Sequence, residues 1–199
     1  VLLYVVYWHG SLSMGESVGN LMFDAGTNVT GLTHLMILIT FVSVFAYDYL
    51  YNSGLIKDVR VMTIVTFILI AGIIYLMKFY GGFSYRAFNI HLGALFGTNM
   101  AFNVWFRIWP AQQSIITSIK NGEAPDGNLA ALAGLRSKHN TYMSVPLIWT
   151  MMNQHTTVFA GGNFGVTEST NWLVLLIMIA LGWHLVFQLY KKSATIKGF

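Results

Sequence analysis

The sequence predicts an all-α, polytopic transmembrane helical bundle, and three observations carry that prediction. Of its 199 residues 55% are hydrophobic and only 9% charged, with a mean hydropathy of +0.60, whereas a soluble domain carries about 25% charged residues. Several apolar runs approach or exceed the ~18–20 residues that cross a bilayer core. The two-residue alternation of a membrane β-barrel is missing. A water-soluble enzyme is thereby excluded, a nucleic-acid partner is not expected, and the lipid bilayer is the solvent. Cysteine is absent, which removes disulfides, thiolate metal sites, iron–sulfur clusters and the Cys-x-x-Cys-His attachment of c-type haem.

Six spans can be drawn, from Val1 to Phe23, Gly31 to Tyr51, Val59 to Tyr80, Arg86 to Trp109, Thr141 to Ala160 and Asn171 to Tyr190. The first is the most polar, through "WHGSLSMGESVGN". The next two are plain apolar runs separated by the polar "NSGLIKD". The fourth stops at Pro110, which cannot continue a helix without losing a hydrogen bond. Residues from about 110 to 140, including "NGEAPDGNLAALAG", read as a long cytoplasmic loop with a short amphipathic piece. No repeat or linker divides the chain, so 1–199 is expected to be a single transmembrane domain. No basic stretch followed by a cleavage site opens it, so no signal peptide is expected.

The basic residues orient these spans. Lys57, Arg60, Arg107, Lys120, Arg136, Lys138, Lys191, Lys192 and Lys197 fall on one side, and only Lys78 and Arg86 on the other. By the positive-inside rule the richer side, with both termini, is cytoplasmic. A bacterial inner membrane is the expected location.

All six histidines lie in or beside the spans. His34, His91 and His155 sit towards the outer boundary, and His9, His139 and His184 towards the cytoplasmic one. Ionisable side chains inside a membrane are costly and usually functional. A single such histidine is as often a packing residue, but six together point to a cofactor. Imidazole is the usual axial ligand of haem b in a membrane bundle; three imidazoles could alternatively hold copper or zinc. His91 and His155 share a depth and are the expected ligands of the haem iron, with His34 in reserve. One haem is expected rather than two, a second requiring His9 and His184, with His139 as a further candidate. Met62, Met77, Met100, Met143, Met151 and Met152 read as core filler.

In the fourth span, "RAFNIHLGALFGTNMAFNVWFRIWPAQQ", His91, Leu95, Asn99, Asn103 and Arg107 recur every four residues and form one drifting stripe. Gly93 and Gly97 make a small-xxx-small pair that lets a helix or a porphyrin plane approach. Arg86 is a candidate partner for haem propionates. Asp48, inside the aromatic "YDYLYN", reads as a headgroup-level residue, and Glu16 as a helix-interface or proton-relay residue.

"IHLGALFGTNMAFNVWFRIWPAQQ" and "RSKHNTYMSVPLIWTMMNQH" resemble two segments of the membrane domain of the cytochrome-c-linked urate hydroxylases. The resemblance covers about Arg86 to His155, and "NWLVLL" with His184 is also similar. Gln154 stands where that family more often has asparagine, and its C-terminal cytochrome c motif has no counterpart here. The resemblance implies a membrane part that passes electrons to a cytochrome c, here on a separate chain. The favoured reading is a haem b electron-transfer subunit working with other membrane redox subunits. A urate-hydroxylase-like oxidoreductase is the alternative, opposed by the lack of any visible cluster of charged groups built for a purine. A haem-free structural or assembly subunit is the third. The sequence designates no catalytic residue.

Overall fold

Thr30 and Thr33 cap each other's backbone N–H groups at the start of α1 (Gly31–Asn52), and the Asp58 carboxylate caps α2 (Val59–Phe79). Ser84 does the same for α3 (Tyr85–Asn103). These side chains satisfy amides that have no partner within a helix's first turn. α4 (Trp109–Lys120), α5 (Gly127–Asn153) and α6 (Asn171–Ser193) complete the order, with π-helical turns at Tyr4–Trp8 and Val104–Ile108. The computed structural model describes residues 3–8, 22–23, 29–153, 155, 158–161 and 163–196. Among them there is no strand, only an isolated bridge between Phe23 and Phe83. The protein is all-α, as expected. Most of the expected first span, with His9 and Glu16, lies outside the described residues.

Among the described residues, three helices are long and apolar enough to cross a membrane. They are α1, α2 and α6, of 22, 21 and 23 residues with mean hydropathy 1.5, 2.3 and 2.1. α3 and α5, also expected as spans, are less apolar: α3 forms the interior, and α5 turns one polar-bearing face towards it. α3 buries Asn89, His91, Asn99 and Asn103 beside Phe88, Leu92 and Phe96, while α5 buries Arg136, Thr150 and Asn153. A helix enclosed by other helices can spend positions on polar groups that lipid would reject. Among the described residues, then, three of the six expected spans carry a membrane signature, beside a more polar pair.

Two close approaches set that packing. A Cβ on Gly93 would stand 2.4 Å from Thr150 Oγ1, so α3 and α5 meet where Gly93 has no side chain. Gly182 does the same for α6, 3.1 Å from Val145 and 3.5 Å from Pro146. Pro146 lies inside α5, where its missing N–H and its ring weaken the helix locally.

The expected long loop at 110–140 is a correction. α4 and the first half of α5 are helical and pack on each other, leaving only residues 121–126 as the turn. Pro110 does not end the fourth span. The Trp109 N–H bonds back to the Val104 carbonyl, a π-type register. A widened turn leaves a carbonyl unmatched, so a residue without an N–H is tolerated there. The chain from Tyr85 to Lys120 thus runs on helically for ~54 Å at about 1.5 Å per residue, longer than a bilayer core.

Candidate functional site

The largest polar assembly in the bundle joins α1, α3, the π-turn and α5. Each contributes polar residues four apart, which share a face: Asp48 and Asn52, Asn103 and Arg107, Arg136 and Asn140. Arg136 is fully buried. Its Nη2 donates to Asp48 Oδ1 at 2.9 Å and Asn52 Oδ1 at 2.7 Å, and its Nη1 to Asn103 Oδ1 at 3.5 Å. Arg107 Nε donates to Asp48 Oδ1 at 3.0 Å, and its Nη2 bonds to Oδ2. The π-turn explains that reach: its fewer degrees per residue hold Arg107 under Asn103 rather than letting the stripe drift on.

A neutral branch leaves this ionic core. Asn103 Nδ2 donates to Tyr47 Oη at 2.9 Å and to Asn140 Oδ1 at 2.8 Å. Tyr47 Oη is hydrogen-bonded to His139 Nδ1 at 2.8 Å, and the Arg136 guanidinium lies 5.3 Å from the Tyr47 ring centre. Tyr51 closes on the other face of His139, with ring centres 4.4 Å apart. Two guanidiniums face one carboxylate, so the core carries an excess positive charge, and Arg136 Nε is buried without a partner. A cluster of charged groups is thus present where the sequence showed none built for a purine, and Asp48 is its centre.

Towards the other end of α3, His91 is fully buried. Its Nδ1–H donates to the Ala87 carbonyl at 2.7 Å, so Nε2 carries the lone pair, and the Trp8 indole N–H donates to it at 2.9 Å. A nitrogen held by a backbone carbonyl while the other offers its lone pair is the state of a metal-ligating histidine. His91 therefore fits an axial haem ligand in donor chemistry, with Trp8 on the ligand side. Tyr7 and Phe83 close round its ring.

His155 is not brought to it. Asn89 and Gly93 face α5, touching Asn153 and Thr150. Each is two residues from His91 and so about 160° round the helix from it. Phe102, eleven residues on and about 20° from His91 in direction, touches Phe45 of α1, with ring centres 6.2 Å apart. His91 thus faces α1 and the Tyr4–Trp8 turn, while His155 is exposed in the turn after α5. His34 is exposed on α1, its Nδ1–H donating to the Thr30 carbonyl at 3.1 Å. His184 is exposed on α6 with Gln188 for a neighbour, and His139 belongs to the charged cluster.

The other expected residues divide. Gly93 serves helix packing, not a porphyrin. Gly97 faces open space, and the Asn99 carboxamide oxygen is buried without a hydrogen-bond partner. Arg86 is half-buried on the first turn of α3 and forms no ion pair among the described residues. Among the described residues no three of His, Asp and Glu come together as a metal site, so the three-imidazole copper or zinc arrangement is not formed there.

The described residues thus form a helical bundle compatible with an integral membrane protein, with a cationic cluster at one level and a lone-pair imidazole at another. A family model, Urate oxidase N-terminal, matches residues 1–197, and the chain belongs to that family. No curated protein and no solved structure matches the chain.

Proposed function

We propose that the chain is the membrane part of a urate-hydroxylase-type oxidoreductase and that the Arg136 cluster receives the substrate. The observation that carries the reading is the excess positive charge of that cluster, with the fully buried Arg136 and the partly exposed Arg107 sharing Asp48 as their one carboxylate among the described residues. Unpaired charge inside a protein is strongly unfavourable, and a small anion is its complement. Urate is a planar purine monoanion edged with N–H and C=O groups, which Arg, Asn and Tyr side chains match. In its hydroxylation water supplies the oxygen that bonds to a ring carbon, and two protons and two electrons leave. The Tyr47–His139 pair is the proton acceptor in this reading.

The electrons pass to a cytochrome c, alongside other membrane redox subunits. Haem b supplies one-electron transfer, and His91 is the residue suited to hold it. In this reading both termini are cytoplasmic, as the basic-residue count favours, and the cluster then lies on the cytoplasmic side and His91 towards the outer one. Equilibrium dialysis of the purified protein in lipid nanodiscs against urate tests the substrate. Saturable binding is expected, lost in Arg136→Lys and weakened in Tyr47→Phe, which keeps the ring and removes one hydroxyl. Wild-type protein that fails to retain urate, or binding indifferent to both substitutions, overturns the proposal.

A further inference from the structure

A groove of about 730 Å³ runs along α1 against the N-terminal turn, lined by Leu3, Tyr4, Trp8, His34, Ile37, Leu38 and Phe41. It is open rather than enclosed, with Tyr4, Leu38 and Phe41 of its lining exposed, and its volume falls within the ~300–1,000 Å³ of ligand sites. Positions 34, 37, 38 and 41 share one face of α1, so His34 is the polar member of an otherwise apolar and aromatic wall. The groove lies on the side of α3 that His91 faces, because Trp8 belongs to both environments. Its indole N–H is bonded to His91 Nε2, and its ring packs edge-on against Phe41 of the groove wall, with centres 6.0 Å apart.

The two histidines are prepared alike. In each, Nδ1–H is tied to the carbonyl four residues earlier, Thr30 for His34 and Ala87 for His91. Each therefore presents its lone pair at Nε2. One lone pair points at Trp8, and the other ring lines the groove that Trp8 borders. We infer that this groove is a haem b site whose axial ligands are His91 and His34, with Trp8 standing in the iron's place at His91 Nε2. The inference rests on the haem part of the preceding proposal and replaces His155 by His34. Binding moves the indole aside and turns a hydrogen-bonded Nε2 into a metal-bound one; no covalent bond breaks and no proton leaves either imidazole.

The test is titration of ferric protoporphyrin IX into the full chain in nanodiscs, read by absorption and electron paramagnetic resonance. Wild type and His155→Ala are expected to give the low-spin signature of two axial imidazoles. His34→Ala, an exposed position where folding is not at stake, is expected to lose it and regain it with added imidazole. His34→Met should give an imidazole–thioether spectrum instead. His91→Ala should lose the low-spin species altogether, and Trp8→Ala should take up haem faster. A two-imidazole signature that survives His34→Ala, or one lost in His155→Ala, overturns the pairing. Wild-type protein that takes up no haem overturns it as well, and urate dialysis then shows whether the substrate reading survives without it.

Discussion

At one end of α3, Asn103 joins a network of two guanidiniums and a carboxylate. Nearer the other end, Asn89 joins one made only of neutral groups. Asn153 Nδ2 donates to Tyr85 Oη at 2.5 Å and Asn89 Oδ1 at 3.2 Å, and Asn89 Nδ2 donates to the Tyr85 carbonyl at 2.8 Å. Both networks tie α3 to α5, and both use amides as connectors. They differ in what a lost partner leaves behind. A neutral hydrogen bond removed from a buried site costs about 1–3 kcal/mol. A buried charge deprived of its counter-charge costs about 3–5 kcal/mol. The neutral node can serve as structure alone. The charged node is more expensive than helix packing requires, and that cost argues for binding.

The largest expected effect follows directly. Asp48→Ala leaves Arg107 and Arg136 without the carboxylate they share, and Arg136 is entirely buried. A loss of about 3–5 kcal/mol is expected, seen as a large fall in thermal midpoint in detergent or as failure to accumulate in the membrane. Asp48→Asn keeps the acceptor oxygen and should fall between. If Asp48→Ala unfolds no earlier than wild type, the core is not desolvated as its burial implies, and the contrast between the two nodes collapses.

Part of this was readable from the chain. The all-α class followed from hydropathy, and His91 stood out as an ionisable group in an apolar span. Each helix of the charged node also shows its polar pair at four-residue spacing in "YDYLYN", "NVWFR" and "RSKHN". What the sequence could not show is that the three pairs converge, because Asp48, Asn103 and Arg136 come together only through packing at Gly93 and through the π-turn at Val104–Ile108. Neither has a local signature strong enough to read. Pro110 pointed the other way: taken as a helix end, it hid a continuous α3–α4 rod and the helical start of α5. The pairing of His91 with His155 rested on a similarly one-dimensional reading. Equal depth was visible, but azimuth was not, and Gly93 turns out to set which side of α3 meets α5.

A smaller effect probes that packing seam between the nodes. In Gly93→Ala the new Cβ would stand 2.4 Å from Thr150 Oγ1, so the hydroxyl must leave the Leu147 carbonyl it bonds at 2.7 Å. Overpacking of this kind costs about 1–3 kcal/mol, set against a gain of up to ~1 kcal/mol in helix propensity. A modest net loss is expected. With Thr150→Ala in place the obstruction is gone, and the same Gly93→Ala change should become neutral or stabilising. A double-mutant cycle on thermal unfolding reads that change of sign, and additive effects would mean that the seam is not where Gly93 places it.

The smallest effect compares one interaction in two settings. Lys138 Nζ lies 4.8 Å from the Tyr190 ring centre, and the Arg136 guanidinium 5.3 Å from that of Tyr47. Both are cations over aromatic faces, two residues apart on α5. Lys138 is exposed, and water screens its charge and competes for it. Arg136 is buried, and there the ring is one of several partners that must all be present. Lys138→Gln should therefore cost no more than about 0.5–1 kcal/mol, and raising the salt concentration should shrink the difference from wild type. Tyr47→Leu keeps a bulky apolar side chain under Arg136 but removes both the π face and the hydroxyl that Asn103 and His139 share. Its loss should exceed that of Lys138→Gln and persist in high salt. Equal, salt-sensitive losses at both positions would show that the Arg136 cluster is wet, and a wet cluster has no need of an anion to balance it.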